Sequence, residues 1–136
     1  MSKVFGYPKF DEAGEMILTT YDGDYAAMLM DVRIYKMKAG ETRSFCRSGE
    51  EIAVLLPSGA VTFRFEGQEH AATRKDVFTE GPWCVHAAGG VEIGVTAGAE
   101  TEILVQCTKN EKNFPSRLYK PEDAPWKHTC AGKFGN

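Results

Sequence analysis

Two side chains with chemical potential, Cys46 and Ser48, stand one residue apart in the glycine-bounded stretch GETRSFCRSGEEIAVLLPSG (40–59). A transition-metal site needs imidazole, thiolate or carboxylate ligands that converge on one point. Ile52, six residues after Cys46, has no ligand atom. The stretch therefore offers one thiol and one hydroxyl, fewer ligands than a metal site needs.

The glycine spacing resembles the first conserved frame of the cupins, whose metal-binding members hold two histidines and then a glutamate there. The second cupin frame fits from Gly81 through Gly89, and its histidine position falls on Glu92. The four ligand positions are Cys46, Ser48, Ile52 and Glu92. We expect these four residues to line the pocket of a cupin-type barrel. We expect no metal, no other cofactor and no catalytic residue, because one thiol and one carboxylate do not complete a site.

The histidines do not supply the missing ligands. His86 lies in a predicted strand and is interpreted as a partly buried histidine with a satisfied hydrogen bond. His70 follows the Glu66–Gly67 turn and is expected to be exposed on a hairpin, whereas His128 lies in the tail. No histidine can be placed beside Cys46, so its thiol is interpreted as buried and structural.

Charged residues near the frame give weaker signals. Glu51 stands beside Ile52 and should point to the opposite face of its strand. Four arginines lie on predicted strands and turns: Arg33, Arg43, Arg47 and Arg64. They could bind an anionic substrate through forked hydrogen bonds, although arginines in such places are more often solvated.

Length and composition limit the class of protein. A chain of 136 residues with 43% hydrophobic residues forms one domain with a real core. The net charge of -3 and the scattered basic residues argue against nucleic acid as a partner. No apolar stretch approaches the ~20 residues that cross a membrane. The N-terminus lacks the apolar core of a signal peptide and no cysteines are paired as CxxC, so we expect a cytoplasmic protein with free thiols.

Short β-type segments separated by glycine turns must position the candidate residues. They cover 26–37, 51–56, 60–67, 83–87, 91–97 and 101–107. Strands that recur every 8 to 12 residues or so are typical of an all-β sandwich or barrel. We predict an all-β fold, a single cupin-type antiparallel β-barrel (jelly roll) over 26–107. An N-terminal arm (1–25) and a C-terminal arm or linker (108–136) flank it, with a helical turn near 120–124.

Several segments resemble one family in order and spacing. DVRIYKMKAGET, EEIAVLLPSGAVTF, DVFTEGPWCVHAAGG and VEIGVTAGAETEILVQC, followed by PSRLYKPED, are similar to the first half of 5-deoxy-glucuronate isomerase. That enzyme and 5-keto-4-deoxyuronate isomerase form a family of two-barrel cupins. The resemblance covers about residues 28–136, and GKFGN resembles the start of the connection to a second barrel. It implies that the metal ligands lie in that second barrel.

Two functions follow as expectations. The resemblance implies a sugar-acid aldose-ketose isomerase of myo-inositol catabolism, of which this chain is the non-catalytic first barrel. The alternative is a stand-alone, metal-free cupin that binds a small molecule such as a sugar acid or serves as a structural dimer module. The segment IAVLL (52–56) is apolar on both strand faces, which suits a strand covered on both sides. We therefore expect a homodimer built barrel against barrel.

Overall fold

The protein is built from short antiparallel strands, as a computed structural model of residues 5–125, 127 and 132 describes. The strands are β1 (Glu15–Thr19), β2 (Asp31–Met37), β3 (Thr42–Phe45), β4 (Glu50–Phe65), β5 (Gln68–Arg74), β6 (Cys84–Ala87), β7 (Ile93–Ala97), β8 (Thr101–Lys109) and β9 (Arg117–Tyr119). Two 3-10 turns, Ala26–Met28 and Pro121–Asp123, are the helical elements of the described residues. The predicted all-β class and the helical turn near 120–124 are confirmed. No helix among the described residues has the length and apolar character needed to span a bilayer.

Two sheets face each other and share one long strand. The large sheet has the order β1-β2-β8-β4-β6-β9, and the small sheet joins β3, β7, β4 and β5. All pairs are antiparallel. Strand β4 has 16 residues, of which the first part pairs in the large sheet and the second part in the small sheet. The fold therefore turns its central strand from one sheet into the other.

Gly59 makes that passage possible. The pairing of β4 with β8 is irregular between Leu55 and Ser58. Gly59 then has a φ of +112°, a backbone conformation that side chains disfavour, and a Cβ there would lie 2.6 Å from the Cα of Thr101. The sequence Pro57-Ser58-Gly59 was expected to end a strand, and this prediction is wrong, because the strand bends at the glycine and continues to Phe65.

Alternating apolar residues fill the space between the sheets. In β4, Ile52, Val54 and Leu56 point inward from the large sheet, and Val61, Phe63 and Phe65 from the small sheet. The predicted alternation of residues 60–67 is thus confirmed. Strands β7 and β8 add the buried side chains Ile93, Val95, Ile103 and Val105. Each fully buried aliphatic or aromatic side chain stabilises the fold by about 1.5–3 kcal/mol.

The sheets extend beyond the range 26–107 that was predicted for the barrel. Strand β1 lies in the predicted N-terminal arm and pairs with β2, and β9 lies in the predicted C-terminal arm and pairs with β6. The boundaries of the three regions stay a prediction. Strands β3 and β5, which no segment of the sequence indicated, complete the small sheet.

Candidate functional site

The structure places the four predicted pocket residues in two different environments. Ile52 is 1% exposed and belongs to the core between the sheets. Cys46, Ser48 and Glu92 are exposed, and Glu92 accepts a hydrogen bond of 2.6 Å from the hydroxyl of Ser44. The interpretation of Cys46 as a buried thiol is wrong, because it follows Phe45, whose side chain takes the inward direction. That the four residues line a ligand pocket stays a prediction.

Phe45 and Arg47 are the residues of this segment that turn toward the core side. The ring of Phe45 packs against the buried cluster, with its centroid 5.3 Å from that of Tyr35. The guanidinium of Arg47 lies 3.6 Å from a carboxylate oxygen of Asp31 and 3.8 Å from one of Glu50. The Cys46 and Ser48 positions of the predicted frame are therefore out of phase by one residue with the inward face, whereas Ile52 lies on it. A one-residue shift exchanges the two faces of an extended segment.

Asp31 and Glu50 are buried carboxylates matched by arginines. Asp31 is 5% exposed and accepts two hydrogen bonds from Arg33, of 2.8 and 3.0 Å. Arg33 also donates to Glu15 at 3.0 Å. The fork to Asp31 is the first cause of the raised pKa of Arg33. Since buried charges are tolerated when they are paired, this network stabilises the end of the core rather than leaving free ligands.

Tyr21 and Glu50 form the least satisfied part of this network. Neither the Tyr21 hydroxyl nor Oε1 of Glu50 has a hydrogen-bond partner of standard geometry within residues 5–125, although both atoms are buried. Burial, and after it the Glu50 carboxylate, raises the pKa of Tyr21. The two groups are thus near enough to interact. The ring of Tyr21 also lies under the ammonium group of Lys109, 4.5 Å from it.

Three of the four candidate arginines lie around one group of buried side chains. Arg43 places its guanidinium 4.5 Å from the ring centre of Tyr35 and donates to the carbonyl of Ala13. Burial, then Glu15, raises the pKa of Tyr35 to about 12, and Arg33 and Arg43 act in the opposite direction. Arg64 lies apart on the outer face of the small sheet, where it donates to Thr96 and Glu69. Arg33, Arg43 and Arg47 therefore form one cluster, without Arg64.

The donor atoms of the described residues do not form a metal site. No three histidine, cysteine, aspartate or glutamate side chains of this part of the chain come together in the way a metal ion requires. The buried carboxylates of Asp31 and Glu50 face guanidinium groups, which would repel a cation. A cupin-type metal does not fit the residues present, and the expected absence of a metal in the protein stays a prediction.

His86 has the satisfied environment that its sequence position suggested. Its Nε2 lies 3.0 Å from Oε2 of Glu51, and its ring stacks on Phe114 with centroids 4.7 Å apart. Glu51 points away from the core, opposite to Ile52, as predicted. His70 lies on the predicted hairpin but is half-buried rather than exposed, because its ring stacks on Phe65. Its Nε2 lies 3.0 Å from the side-chain oxygen of Gln68. His128 lies outside the described residues.

The described residues also form surface clefts apart from the arginine cluster. The first has a volume of about 580 Å³ and is lined by charged residues of both signs, four glutamates and two lysines. They are Glu12, Glu41, Glu100, Glu102, Lys36 and Lys38. The excess of glutamates makes this cleft unfavourable for a carboxylate ligand. The second cleft, of about 510 Å³, lies on the outer face of the small sheet and includes Ser44, Arg64 and Glu92.

The fold is similar to those of several solved structures. An IolB-like protein from Salmonella typhimurium LT2 superposes with a TM-score of 0.73 at 18% identity, over 88% of this chain and 47% of that one. The chain thus spans about half the length of this relative. YlbA from E. coli gives a TM-score of 0.61 at 14% identity, over 86% of this chain and 49% of that one. KdgF from Halomonas sp. gives a TM-score of 0.55 at 14% identity, over 77% of this chain and 87% of that one.

These likenesses show the fold, and the family follows from the sequence itself. Identities below 25% between folds carry no information about the reaction. A comparison with curated proteins finds no match. The model of the KduI/IolB family, in contrast, matches residues 6–134, nearly the whole chain. The predicted cupin-type fold and the predicted family are confirmed: the chain belongs to the KduI/IolB family.

Proposed function

We propose that this chain is the non-catalytic barrel of a sugar-acid aldose-ketose isomerase of the 5-deoxy-glucuronate isomerase type, acting in myo-inositol catabolism. The observation that supports the proposal is the burial of Ile52. Where metal-binding cupins hold a glutamate, this chain has an aliphatic side chain that is 1% exposed and packed in the core. The acidic side chains nearby, Asp31 and Glu50, form ion pairs with Arg33 and Arg47.

An aldose-ketose isomerisation moves a proton between neighbouring carbons beside a carbonyl. It needs a base within hydrogen-bond reach of the carbon and a group that stabilises the oxyanion. Glu51 and His86 bind each other on the outward face, away from the arginine cluster. Because this chain offers no base and metal set at one point of its described part, catalysis requires a second, metal-bearing barrel. That barrel belongs to a partner chain or to a longer polypeptide.

The test combines an activity assay with elemental analysis. Purified protein supplemented with Mn, Fe, Ni or Zn is given 5-deoxy-glucuronate, and a two-barrel member of the family serves as the positive control. We expect turnover by the control alone, and no stoichiometric metal in this chain. Turnover by this chain at ~1 per second or faster, typical of enzymes, would contradict the proposal. So would one tightly bound transition metal per chain.

A second function, sugar-acid binding by a metal-free cupin, is favoured by the arginine cluster. The contacts of Arg47 to Asp31 and Glu50, at 3.6 and 3.8 Å, are longer than hydrogen bonds, so its donors can still serve a carboxylate. Titration calorimetry with glucuronate tests this function. Arg47→Met should abolish binding and Arg64→Met, on the opposite side, should leave it unchanged. Absence of heat with the wild-type protein at millimolar ligand would reject it.

A further inference from the structure

The connection between β1 and β2, residues 20–30, passes over the charged end of the core. We call it the Tyr21 loop. None of its residues is buried, whereas Thr19 before it and Asp31 after it are only 4% and 5% exposed. Segments that bury few side chains open at a lower free energy than the strands beside them. The Tyr21 loop is therefore weakly attached between two firmly packed ends.

Hydrogen bonds within the Tyr21 loop and at its junction with β1 keep its shape. The hydroxyl of Thr19 donates to the carbonyl of Tyr25 at 3.1 Å. The amides of Met28 and Leu29 donate to carbonyls one turn earlier, at 2.9 and 3.0 Å. Because these bonds do not involve the rest of the barrel, the loop can move as one body without breaking them.

Tyr21 and Leu29 hold the loop against β8. The ring of Tyr21 lies 4.5 Å from the ammonium group of Lys109, and the carbonyl of Leu29 accepts a hydrogen bond of 2.9 Å from the hydroxyl of Thr108. Leu29 also has a φ of +59°, which is rare for a residue other than glycine. Such strain persists where the surrounding structure requires it, so the closed position stores strain at the end of the loop next to β2.

The closed loop leaves polar atoms unpaired beneath it. The hydroxyl of Tyr21 and Oε1 of Glu50 are buried and have no hydrogen-bond partner of standard geometry among the described residues. Glu50 as a whole is 6% exposed. A buried polar atom without a partner carries the full cost of its lost hydration. Opening of the loop returns both atoms to water, which lowers the free energy that opening requires.

The thiol of Cys107 lies under the loop, within the arginine cluster. It is 1% exposed. Burial raises its pKa, and the charges of Arg47, Glu50 and Asp31 also act on it. The hydroxyl of Tyr21 interacts with the same thiol and the same two carboxylates. The accessibility of Cys107 to a reagent therefore reports whether the loop is open.

We propose that the Tyr21 loop is a lid that opens as one body and controls access from solvent to the arginine cluster. In the open state the donors of Arg47 can bind a carboxylate, and Oε1 of Glu50 can accept a hydrogen bond from a hydroxyl. This pair of groups matches a hydroxy acid. The choice of a sugar acid as the ligand rests on the second function proposed above, whereas the lid itself does not.

Thiol labelling of the full chain tests the lid without any ligand. Serine replaces the other cysteines, which leaves Cys107 as the reactive thiol; the replaced residues are Cys46, Cys84 and Cys130. N-ethylmaleimide is the reagent, and the pH is the same for every variant. When the loop closes faster than the reagent reacts, the labelling rate is proportional to the population of the open state.

Tyr21→Ala should raise the labelling rate of Cys107 at least about tenfold, because it removes the ring that lies under Lys109. The matched control is Tyr119→Ala, which removes a ring that lies 4.4 Å from the guanidinium of Arg117 on β9. The control should leave the rate unchanged. An unchanged rate in Tyr21→Ala overturns the lid. Equal acceleration by both variants also overturns it, because the labelling would then come from global unfolding.

Thr108→Val covers the case in which Tyr21→Ala does not fold. It keeps the shape of the side chain, removes the hydrogen bond to the Leu29 carbonyl and should raise the labelling rate about fivefold. Its rate should rise with urea less steeply than the global unfolding constant, because an opened loop exposes less surface than an unfolded chain. If the two quantities rise equally steeply, opening is not local and the lid is wrong.

Glucuronate separates the lid from the choice of ligand. At millimolar concentration it should slow the labelling of Cys107 both with the native loop and in Tyr21→Ala, because it occupies the arginine cluster. Accelerated labelling in Tyr21→Ala that glucuronate does not slow supports the lid and rejects the sugar acid as its ligand. Labelling that glucuronate slows, without acceleration in Tyr21→Ala, supports the binding function and overturns the lid.

Discussion

Asp31 holds together the charged end of the core. It is 5% exposed, and its carboxylate pairs with the guanidinium of Arg33 and lies near that of Arg47. Removal of one member of a buried ion pair leaves the other charge without compensation, which destabilises a protein far more than the pair stabilises it. The contribution of this network to the fold is therefore measurable by deletion of its acidic member.

We expect Asp31→Ala to lower the free energy of unfolding by roughly 3 kcal/mol, measured by urea denaturation. The matched control is Glu69→Ala, which breaks the Arg64–Glu69 pair on the surface, where the side chains are 47% and 62% exposed. Exposed pairs contribute about 1 kcal/mol or less. Equal losses for the two variants would show that the Asp31 network is not buried in solution.

The thiols give a pH dependence with a defined sign. Burial raises the pKa of Cys107 to about 11 from an ordinary value of 9.0, and that of Cys84 likewise to about 11. The folded protein therefore keeps these protons longer than the unfolded chain does. Their contribution to stability is complete below pH 9 and is lost as the pH rises toward 11.

We expect the free energy of unfolding to fall between pH 9 and 10 by at most about 1.4 kcal/mol per buried thiol. Cys107→Ala should make this decrease smaller. Cys46→Ala, which removes an exposed thiol, should leave the decrease unchanged. Urea denaturation at a series of pH values measures the decrease. If the free energy of unfolding falls equally with pH in both variants, the decrease does not come from the buried Cys107 thiol.

The candidate site was only partly predictable at this scale. The residue types predict that Cys46, Ser48, Ile52 and Glu92 form no metal set, and this stays a prediction. The residue types could not predict the direction of each side chain, because a bend separates Phe45 from Glu50 and a one-residue change of phase exchanges inward and outward faces. The pairing of Asp31 with Arg47 also depends on contact between β2 and the segment after β3, which no local pattern reveals.

At the scale of elements, β4 determines how the two sheets are joined. The alternation of apolar residues in the sequence was sufficient to predict most of β4, and likewise β7 and β8. Strands β3 and β5 were missed, because TRSF and QEHAATR contain few apolar residues for a period-2 pattern to detect. The Pro57–Gly59 stretch has the composition of a turn, yet here it marks a bend inside a strand that pairs with β8 on both sides of an irregularity.

Gly59 should tolerate no side chain. Gly59→Ala places a Cβ 2.6 Å from the Thr101 backbone at a φ of +112°, and we expect a loss of more than about 2 kcal/mol in the free energy of unfolding. Gly40→Ala is the control, since Gly40 also has a positive φ, +88°, but no atom lies within 4 Å of its Cβ position. Its loss should stay near 1 kcal/mol. Equal losses would exclude the close approach to Thr101.

At the scale of the whole molecule, the family and fold could be inferred from the order and spacing of segments. The homodimer expected from IAVLL stays a prediction, since which face of β4 lies outward depends on the register of its neighbours. That register places Leu55 between Leu104 and Cys84 on the outward face of the large sheet. The outward face of the small sheet, where Thr42, Thr96 and Thr62 are neighbours, could not be distinguished from it by composition.

The central position of β4 has a consequence for folding during synthesis on the ribosome. During synthesis Ile52, Val54 and Leu56 leave the ribosome well before β8, whose Thr101–Lys109 segment is their neighbour in the large sheet. Strand β6, which pairs with the other edge of β4, emerges earlier, so the nascent chain carries an apolar strand whose β8 edge is unpaired until residue 109 has emerged. Chaperones have that interval to bind it. We expect a fragment ending at Gly98 to show no cooperative thermal unfolding, whereas one ending at Pro125 should unfold cooperatively. A folded 1–98 fragment would mean that the small sheet forms on its own.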